Sequence, residues 1–205
     1  GLIWTYFGEG KEPAFPPYPA PAEEGIIETP FVYPLPCNYL QSFENSFDEV
    51  HVSFVHRTGG SHSGMYDLPE ISAEETDWGV LRHGRRKNGE VRVSLHYMPT
   101  CTRVIVPPMA GYDGVGGWKE LYLNFTPIDD ENQQWFPINL VKVTGEEADR
   151  YMAKHHEYMG KTGAAEPVPS VAQKIIDGML RLQDVQHPDL VRVQDAAVQV
   201  GQGVI

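Results

Sequence analysis

Two histidines and a carboxylate fall within a dozen residues in the run Asn45-x2-Asp48-x2-His51-x4-His56. Neutral imidazole is the commonest side-chain ligand of transition metals, and carboxylate suits harder divalent ions, so the chemistry such a set could do is metal-centred. Asp48 and His51 are three apart and share a helix face. His51 and His56 are five apart, about 140° around an ideal helix. Both reach one ion only where the helix ends, bends or carries a wide turn between them. Composition alone produces an Asp-x2-His-x4-His triple in roughly one chain in 60. Spacing therefore leaves a plainer reading open, surface or satisfied histidines on an amphipathic helix.

A second carboxylate belongs to the argument. Plotted as a helix, Leu190, Val193, Ala197 and Val200 form an apolar stripe, with Asp195 grouped at its edge beside Val191 and Val198. A carboxylate bordering an apolar stripe is costly unless it has a partner. A metal is one such partner; solvent is the other. Further candidates are weaker. His62 and His96 lack a spaced partner, so neither makes a rival ligand set. His96, Tyr97 and Met98, with His62 and Met65, are of the types that line apolar pockets, and equally of the types that fill cores. Arg82, Arg85, Arg86 and Arg103 include candidates to hold a substrate carboxylate, although solvated surface charge is the ordinary role of arginine. Asp129-Asp130-Glu131 reads as a solvated turn, and His155-His156 as an exposed pair on a helix.

The elements that must position these residues are legible in outline. Apolar residues at 40, 43, 47, 50 and 54 predict a helix from about Asn38 to His56. Gly59, Gly60, Ser61 and Gly64 mark a loop, and the glycines of 111–117 another. Val91, Val93, Leu95 and Tyr97 alternate with polar residues, as do Leu121, Leu123 and Phe125, and Trp135 to Val143 is a further strand. Lys87-Asn88-Gly89 supports a hairpin. Helices are predicted over Glu146–Met159 and Val171–Gln183, joined by a small-residue linker at 160–169. A last helix starts at His187-Pro188-Asp189 and runs through Leu190 to Val200. At the other end, Gly1 to Phe7 reads as a buried strand, and the prolines of 8–36 as an extended arm. Together these elements make an α+β fold, an antiparallel sheet with long helices packed on it.

Composition bounds the function classes. The chain has 205 residues, of which 41% are apolar, enough for one substantial core. Lys+Arg number 16 and Asp+Glu 28, so the net charge is 16 − 28 = −12. That balance argues against nucleic acid or an anionic membrane as the main partner. No apolar run approaches the ~20 residues of a membrane helix. The two cysteines, Cys37 and Cys101, cannot build a disulfide framework, and a reducing cytoplasm is the expected location.

Three stretches, Gly1-Leu2-Ile3-Trp4-Thr5-Tyr6-Phe7-Gly8, then Asn38-Tyr39-Leu40-Gln41 running into Glu44-Asn45, Asp48, His51 and His56, and finally Gln194-Asp195-Ala196-Ala197-Val198-Gln199, carry a resemblance across nearly the whole chain. It resembles the alpha-subunit catalytic domain of the Rieske non-haem iron aromatic ring-hydroxylating oxygenases. The phthalate-dioxygenase-type branch, which includes O-demethylases, is the nearer likeness. The middle motif is specific and the outer two supportive. The resemblance implies a helix-grip (START/Bet v 1-like) fold, with the antiparallel sheet wrapped around long helices. It implies His51, His56 and Asp195 as the ligands of a mononuclear Fe(II). Asp48 would bridge electrons from a neighbouring subunit's cluster and orient a ligand histidine, and Asn45 would lie beside the iron. The implied reaction is O2-dependent hydroxylation or oxidative O-demethylation of an aromatic compound. The implied partners are a reductase or ferredoxin drawing on NAD(P)H, and two further copies in a homotrimer. A [2Fe–2S] Rieske centre needs Cys-x-His and Cys-x2-His pairs. Cys37 and Cys101 are 64 residues apart, and neither has a histidine one or three positions on. The expectation is therefore that residues 1–205 are the catalytic domain, with 1–36 an arm following a Rieske domain absent from this chain. A non-catalytic helix-grip ligand carrier and a zinc hydrolase using the same ligands are the alternatives.

Overall fold

Alternating side chains on strands joined by tight turns produce a meander. The structure, a computed structural model, describes residues 5–12, 14, 24–28, 31–57, 67–108 and 111–205. Its strands are β1 (Ile26–Glu28), β2 (Tyr33–Leu35), β3 (Glu70–Thr76), β4 (Gly79–Arg85), β5 (Val91–Tyr97), β6 (Cys101–Val106), β7 (Lys119–Pro127) and β8 (Gln133–Val141). All pair antiparallel in the order β1-β8-β7-β6-β5-β4-β3, and β2 shares the β8 edge with β1. The helices are α1 (Tyr39–Phe47), α2 (Val50–Val55), α3 (Gly145–Ala164), α4 (Val168–Ile176) and α5 (Leu190–Gly201), with a 3-10 turn at Leu182–Asp184.

One core lies between the sheet and α1, α4 and α5. It contains Leu35, Phe43, Leu123, Phe125, Trp135, Val171, Val193 and Ala196, all buried. A second cluster, Tyr112, Val141, Val143, Tyr151 and Tyr158, seats α3 against the end of β8. Gly116, at φ +87°, lets the 111–117 loop close on it: a Cβ there would fall 2.6 Å from the Tyr151 ring. The α+β, helix-grip expectation is met: the sheet wraps the helices that carry the motif residues.

Several element boundaries differ from those read in the sequence. The predicted 38–56 helix is two helices. α3 continues through Gly160 to Ala164, so the small-residue linker shrinks to three residues, and α4 stops at Ile176 where Gly178 takes φ +72°. The strand read at 1–7 falls partly outside the described residues. Of its described residues, Thr5, Tyr6 and Phe7 are exposed and belong to no strand. Much of the 1–36 arm also lies outside the described residues, and its end supplies β1 and β2.

A charged layer sits inside the curve of the sheet. Glu49, 1% exposed, receives Arg82 Nη1 at 2.7 Å, Arg86 Nη2 at 2.7 Å and Arg92 Nη1 at 2.8 Å. Gly84 makes room for it, since a Cβ on that residue would stand 2.9 Å from Glu49 Cγ. Burial pushes the Glu49 carboxyl up, and Arg92 and Arg82 outweigh it, so the group stays below the ordinary carboxylate range. Arg82 and Arg86 are therefore buried ion-pair partners and not solvated surface charges, whereas Arg85 on the same strand is exposed.

Removing one partner of a buried ion network strands the others. Glu49→Gln should lower the unfolding free energy by roughly 3–5 kcal/mol in urea titration, and Arg85→Gln by less than about 0.5 kcal/mol. Acid acts in the same direction at two buried groups. His96 is pushed down to about 3 by burial and then by Arg82. The unfolded chain therefore takes up its proton first, and stability falls with pH from about 6.5 downward. The Glu49 contribution is lost later, as pH falls through its lowered value. His96→Phe should flatten the dependence of Tm on pH between about 4 and 6.5; an unchanged slope would contradict the buried neutral ring.

Candidate metal centre

The corner between α1 and α2 is built by one extended residue. Asn38 and Gln41 cap α1 reciprocally: Leu40 N–H donates to Asn38 Oδ1, and Asn38 N–H to Gln41 Oε1, both at 2.9 Å. α1 ends at Asp48, whose backbone is extended at φ −78°, ψ 100°. The Asp48 carboxylate then accepts the Val50 N–H at 2.7 Å and starts α2. The spacing of His51 and His56 is accommodated at the other end of α2, which stops at Val55 and leaves His56 outside the helix at φ −93°, ψ 9°. His51 lies in the first turn of α2 and His56 is its C-cap, and their rings meet edge to face at 5.1 Å between centroids.

Asp195 comes to the same place from α5. Its Oδ1 lies 3.1 Å from His56 Nε2 and 3.6 Å from His51 Nε2. One ligand atom from each of the three residues lies within 4.8 Å of the others. His56 Nδ1 contacts Gln194 Oε1 at 2.9 Å, and His51 Nδ1 closely contacts the Asp48 carbonyl. In neutral rings both acceptors draw the proton to Nδ1 and turn the Nε2 lone pairs toward the carboxylate. Asn45 Nδ2 donates to Asp195 Oδ1 at 3.2 Å. The two separations from Asp195, 3.1 and 3.6 Å, are within reach of a divalent cation bound at ~2.1 Å from each donor, and two imidazoles with one carboxylate are the donor types of a non-haem iron site.

The electrostatics favour positive charge between the rings and the carboxylate. Burial pushes the Asp195 carboxyl up, but His56, His51 and Asn45 hold it below its ordinary value. Burial likewise pushes His56 down, and the facing Asp195 reverses that.

A polar clasp fixes α1 to α5 beside the triad. Gln41 Nε2 donates to the carbonyls of Gln199 at 3.1 Å and Gly203 at 2.9 Å. The Ser42 hydroxyl donates to Gln199 Oε1 and accepts Gln133 Nε2 at 2.7 Å.

All five motif residues thus meet: His51, His56 and Asp195 as the triad, Asn45 bonded to it, and Asp48 touching it through its carbonyl. Sequence reasoning missed the roles of Gln194, Gln41, Ser42 and Gln199. The signal was present, since amides buried on apolar helix faces need partners, but the partners sit on other elements. Other readings change. His155 is not an exposed helix residue: its Nδ1 lies 3.0 Å from both Glu28 Oε2 and Tyr112 Oη. Met98 is exposed and Tyr97 packs on Trp78, so neither faces the triad. Arg103 is engaged by Glu120 at 2.7 Å. The Asp129–Glu131 run is the expected turn, with Asp129 Oδ1 accepting the Glu131 N–H. His62 and Met65 lie outside the described residues.

The rings' second contacts are testable. Gln194→Ala should weaken divalent-metal binding roughly 10- to 100-fold in competitive chelator titration, with the fold retained by circular dichroism. Unchanged affinity would show that His56 needs no such orientation.

No family model matches the chain. Over 145 residues, 66% of the chain, it is 26% identical to the 5,5'-dehydrodivanillate O-demethylase oxygenase subunit of Sphingobium sp. strain SYK-6, and the match spans 32% of that subunit. The terminal oxygenase of carbazole 1,9a-dioxygenase from Nocardioides aromaticivorans IC177 shares the fold at a TM-score of 0.53 and 15% identity, over 97% of this chain and 65% of that one. Pseudomonas putida CBB5 NdmB aligns at a TM-score of 0.47 and 12% identity, over 85% of this chain and 49% of its own. The chain is thus similar in sequence to about a third of an O-demethylase oxygenase subunit, and in fold to part of the terminal oxygenase of a carbazole dioxygenase.

Proposed function

We propose that residues 1–205 are the mononuclear-iron catalytic domain of an oxygenase that hydroxylates, or oxidatively O-demethylates, an aromatic compound. The observation that carries this reading is the convergence of His51 Nε2, His56 Nε2 and Asp195 Oδ1, with both outer ring nitrogens already engaged. Fe(II) held by such a set supplies O2 activation once electrons are delivered. The chain's own residues do the rest. Gln194 and the Asp48 carbonyl fix the two rings, and Asn45 holds the carboxylate. The clasp of Gln41, Ser42 and Gln199 keeps the two ligand-bearing helices in register. Asp48 is exposed next to a ligand that its carbonyl touches, which suits the point where electrons enter from a [2Fe–2S] donor on another domain or subunit. In this reading the donor is fed by a ferredoxin or reductase using NAD(P)H, and three copies assemble so that one protomer's cluster faces its neighbour's Asp48.

Anaerobic loading of the chelator-stripped chain should give about one Fe(II) per chain, and His51→Ala or Asp195→Ala should abolish it. An Fe–nitric oxide adduct seen by electron paramagnetic resonance separates an open iron site from a structural zinc site. Retained iron in Asp195→Ala sinks the triad. In the oxygenase assembled with its electron donor, Asp48→Asn should keep the iron and cut kcat at least roughly 10-fold. Unaltered turnover would remove Asp48 from the electron path.

A further inference from the structure

A polar relay leads from Glu49 to His96, a buried group that the candidate metal centre does not use. Arg82 donates from Nη1 to Glu49 and from Nε to Ser94 Oγ, the latter at 2.8 Å. Ser94 Oγ lies 3.1 Å from His96 Nε2. The arrangement that gives the Ser94 hydroxyl hydrogen an acceptor directs it to that nitrogen. Burial and Arg82 keep the ring neutral. A neutral ring that accepts at Nε2 carries its proton on Nδ1, and His96 Nδ1 has no hydrogen-bond partner. Directly across the β5–β6 ladder, Thr102 presents Oγ1, also without one. Both residues are 0% exposed. An orphaned buried donor is costly, and two such groups side by side on one face of a sheet form a place prepared for an oxygen.

The surroundings are aromatic. Phe43 meets the His96 ring edge-on at 5.8 Å, and the half-buried Phe47 ring lies 4.4 Å from it. Phe43 and Phe47 are one turn apart on α1, the helix whose Asn45 bonds Asp195.

We propose that His96 Nδ1–H and the Thr102 hydroxyl form a recognition subsite for an oxygen substituent, hydroxyl or ether, on an aromatic ligand whose ring packs against Phe43 and Phe47. His96 donates to that oxygen, and Thr102 donates or accepts according to whether it carries hydrogen. Ser94 and Arg82 are positioning residues, because they hold the tautomer without touching the ligand. That this ligand is the oxygenase substrate rests on the function proposed above; the subsite itself does not.

Phenol and toluene have the same shape and differ by the oxygen. Titrated into the iron-loaded and iron-free chain and followed by 15N-edited NMR, His96 should show the Nδ1–H tautomer. Its Nδ1 resonance should move further with phenol than with toluene. The ratio of phenol to toluene affinity should fall roughly 10-fold or more in His96→Phe and in Thr102→Val, and Thr102→Ser should keep it. If His96→Phe does not fold, the Val/Ser pair at Thr102 carries the test. A proton on Nε2, no saturable phenol binding, or an unchanged ratio in Thr102→Val overturns the subsite. A chain that takes up iron but ignores the oxygen sinks this inference alone. A chain that prefers phenol but takes up no iron keeps the subsite and sinks the proposed function.

Discussion

A carboxylate carried on the last helix faces two imidazoles from the α1–α2 corner, and the layers of the fold serve that contact. Asp195 is largely buried, and a lone carboxylate there would be costly. Its three neighbours, His51, His56 and Asn45, make the charged form the favoured one. The contact joins residues about 140 positions apart, so it exists only because the sheet gives α1 and α5 a common surface. Phe43 on one helix, and Val193, Ala196 and Ala197 on the other, belong to the same core cluster as Leu123, Phe125 and Trp135. Apolar packing brings the helices near. The amide and hydroxyl clasp then fixes their relative position, because directional bonds in a low-dielectric interior specify geometry where apolar contact does not.

The corner itself divides labour among neighbouring residues. Asp48 points outward and spends its carboxylate on starting α2. Glu49, next along, points inward and neutralises part of an arginine layer on the sheet. His51 turns toward α5. Three adjacent functions are separated by direction because one residue is extended, whereas an unbroken helix would have spread them around its cylinder. Glu49 connects the two halves of the interior: the peptide next to it touches the His51 ring, and its side chain begins the relay that ends at His96.

The local pattern told much of this. Alternation at 121–125 marked a strand whose apolar face, Leu121, Leu123 and Phe125, packs in the core with the helices, whereas at 91–97 the buried side is the polar one, Arg92, Ser94 and His96, with Val91 exposed and Val93 and Leu95 only half-buried. The apolar stripe of α5 with Asp195 at its edge was visible because helical periodicity is a local property. Two strands at 70–85 were harder to see. β3 is exposed along nearly its whole length and so shows no burial alternation, and β4 mixes glycine and arginine with its apolar residues. The arginines misled for a related reason. A buried guanidinium looks like a solvated one in sequence, since its burial depends on a carboxylate from another element, and Glu49 lies 33 residues before Arg82.

By itself the sequence determined the donor types, the short spacing of Asp48, His51 and His56, and the need for a helix break between the histidines. These follow from side-chain chemistry and from 3.6 residues per turn. Only the tertiary structure decided that Asp195 faces both imidazoles, that Gln194 and a backbone carbonyl lie against their outer nitrogens, and that His96 Nδ1 and Thr102 Oγ1 stand close together without hydrogen-bond partners. Each of those facts joins groups from different elements. Hydrogen bonding and burial are properties of the space between elements, and that space is set by packing and not by the residues on either side taken singly.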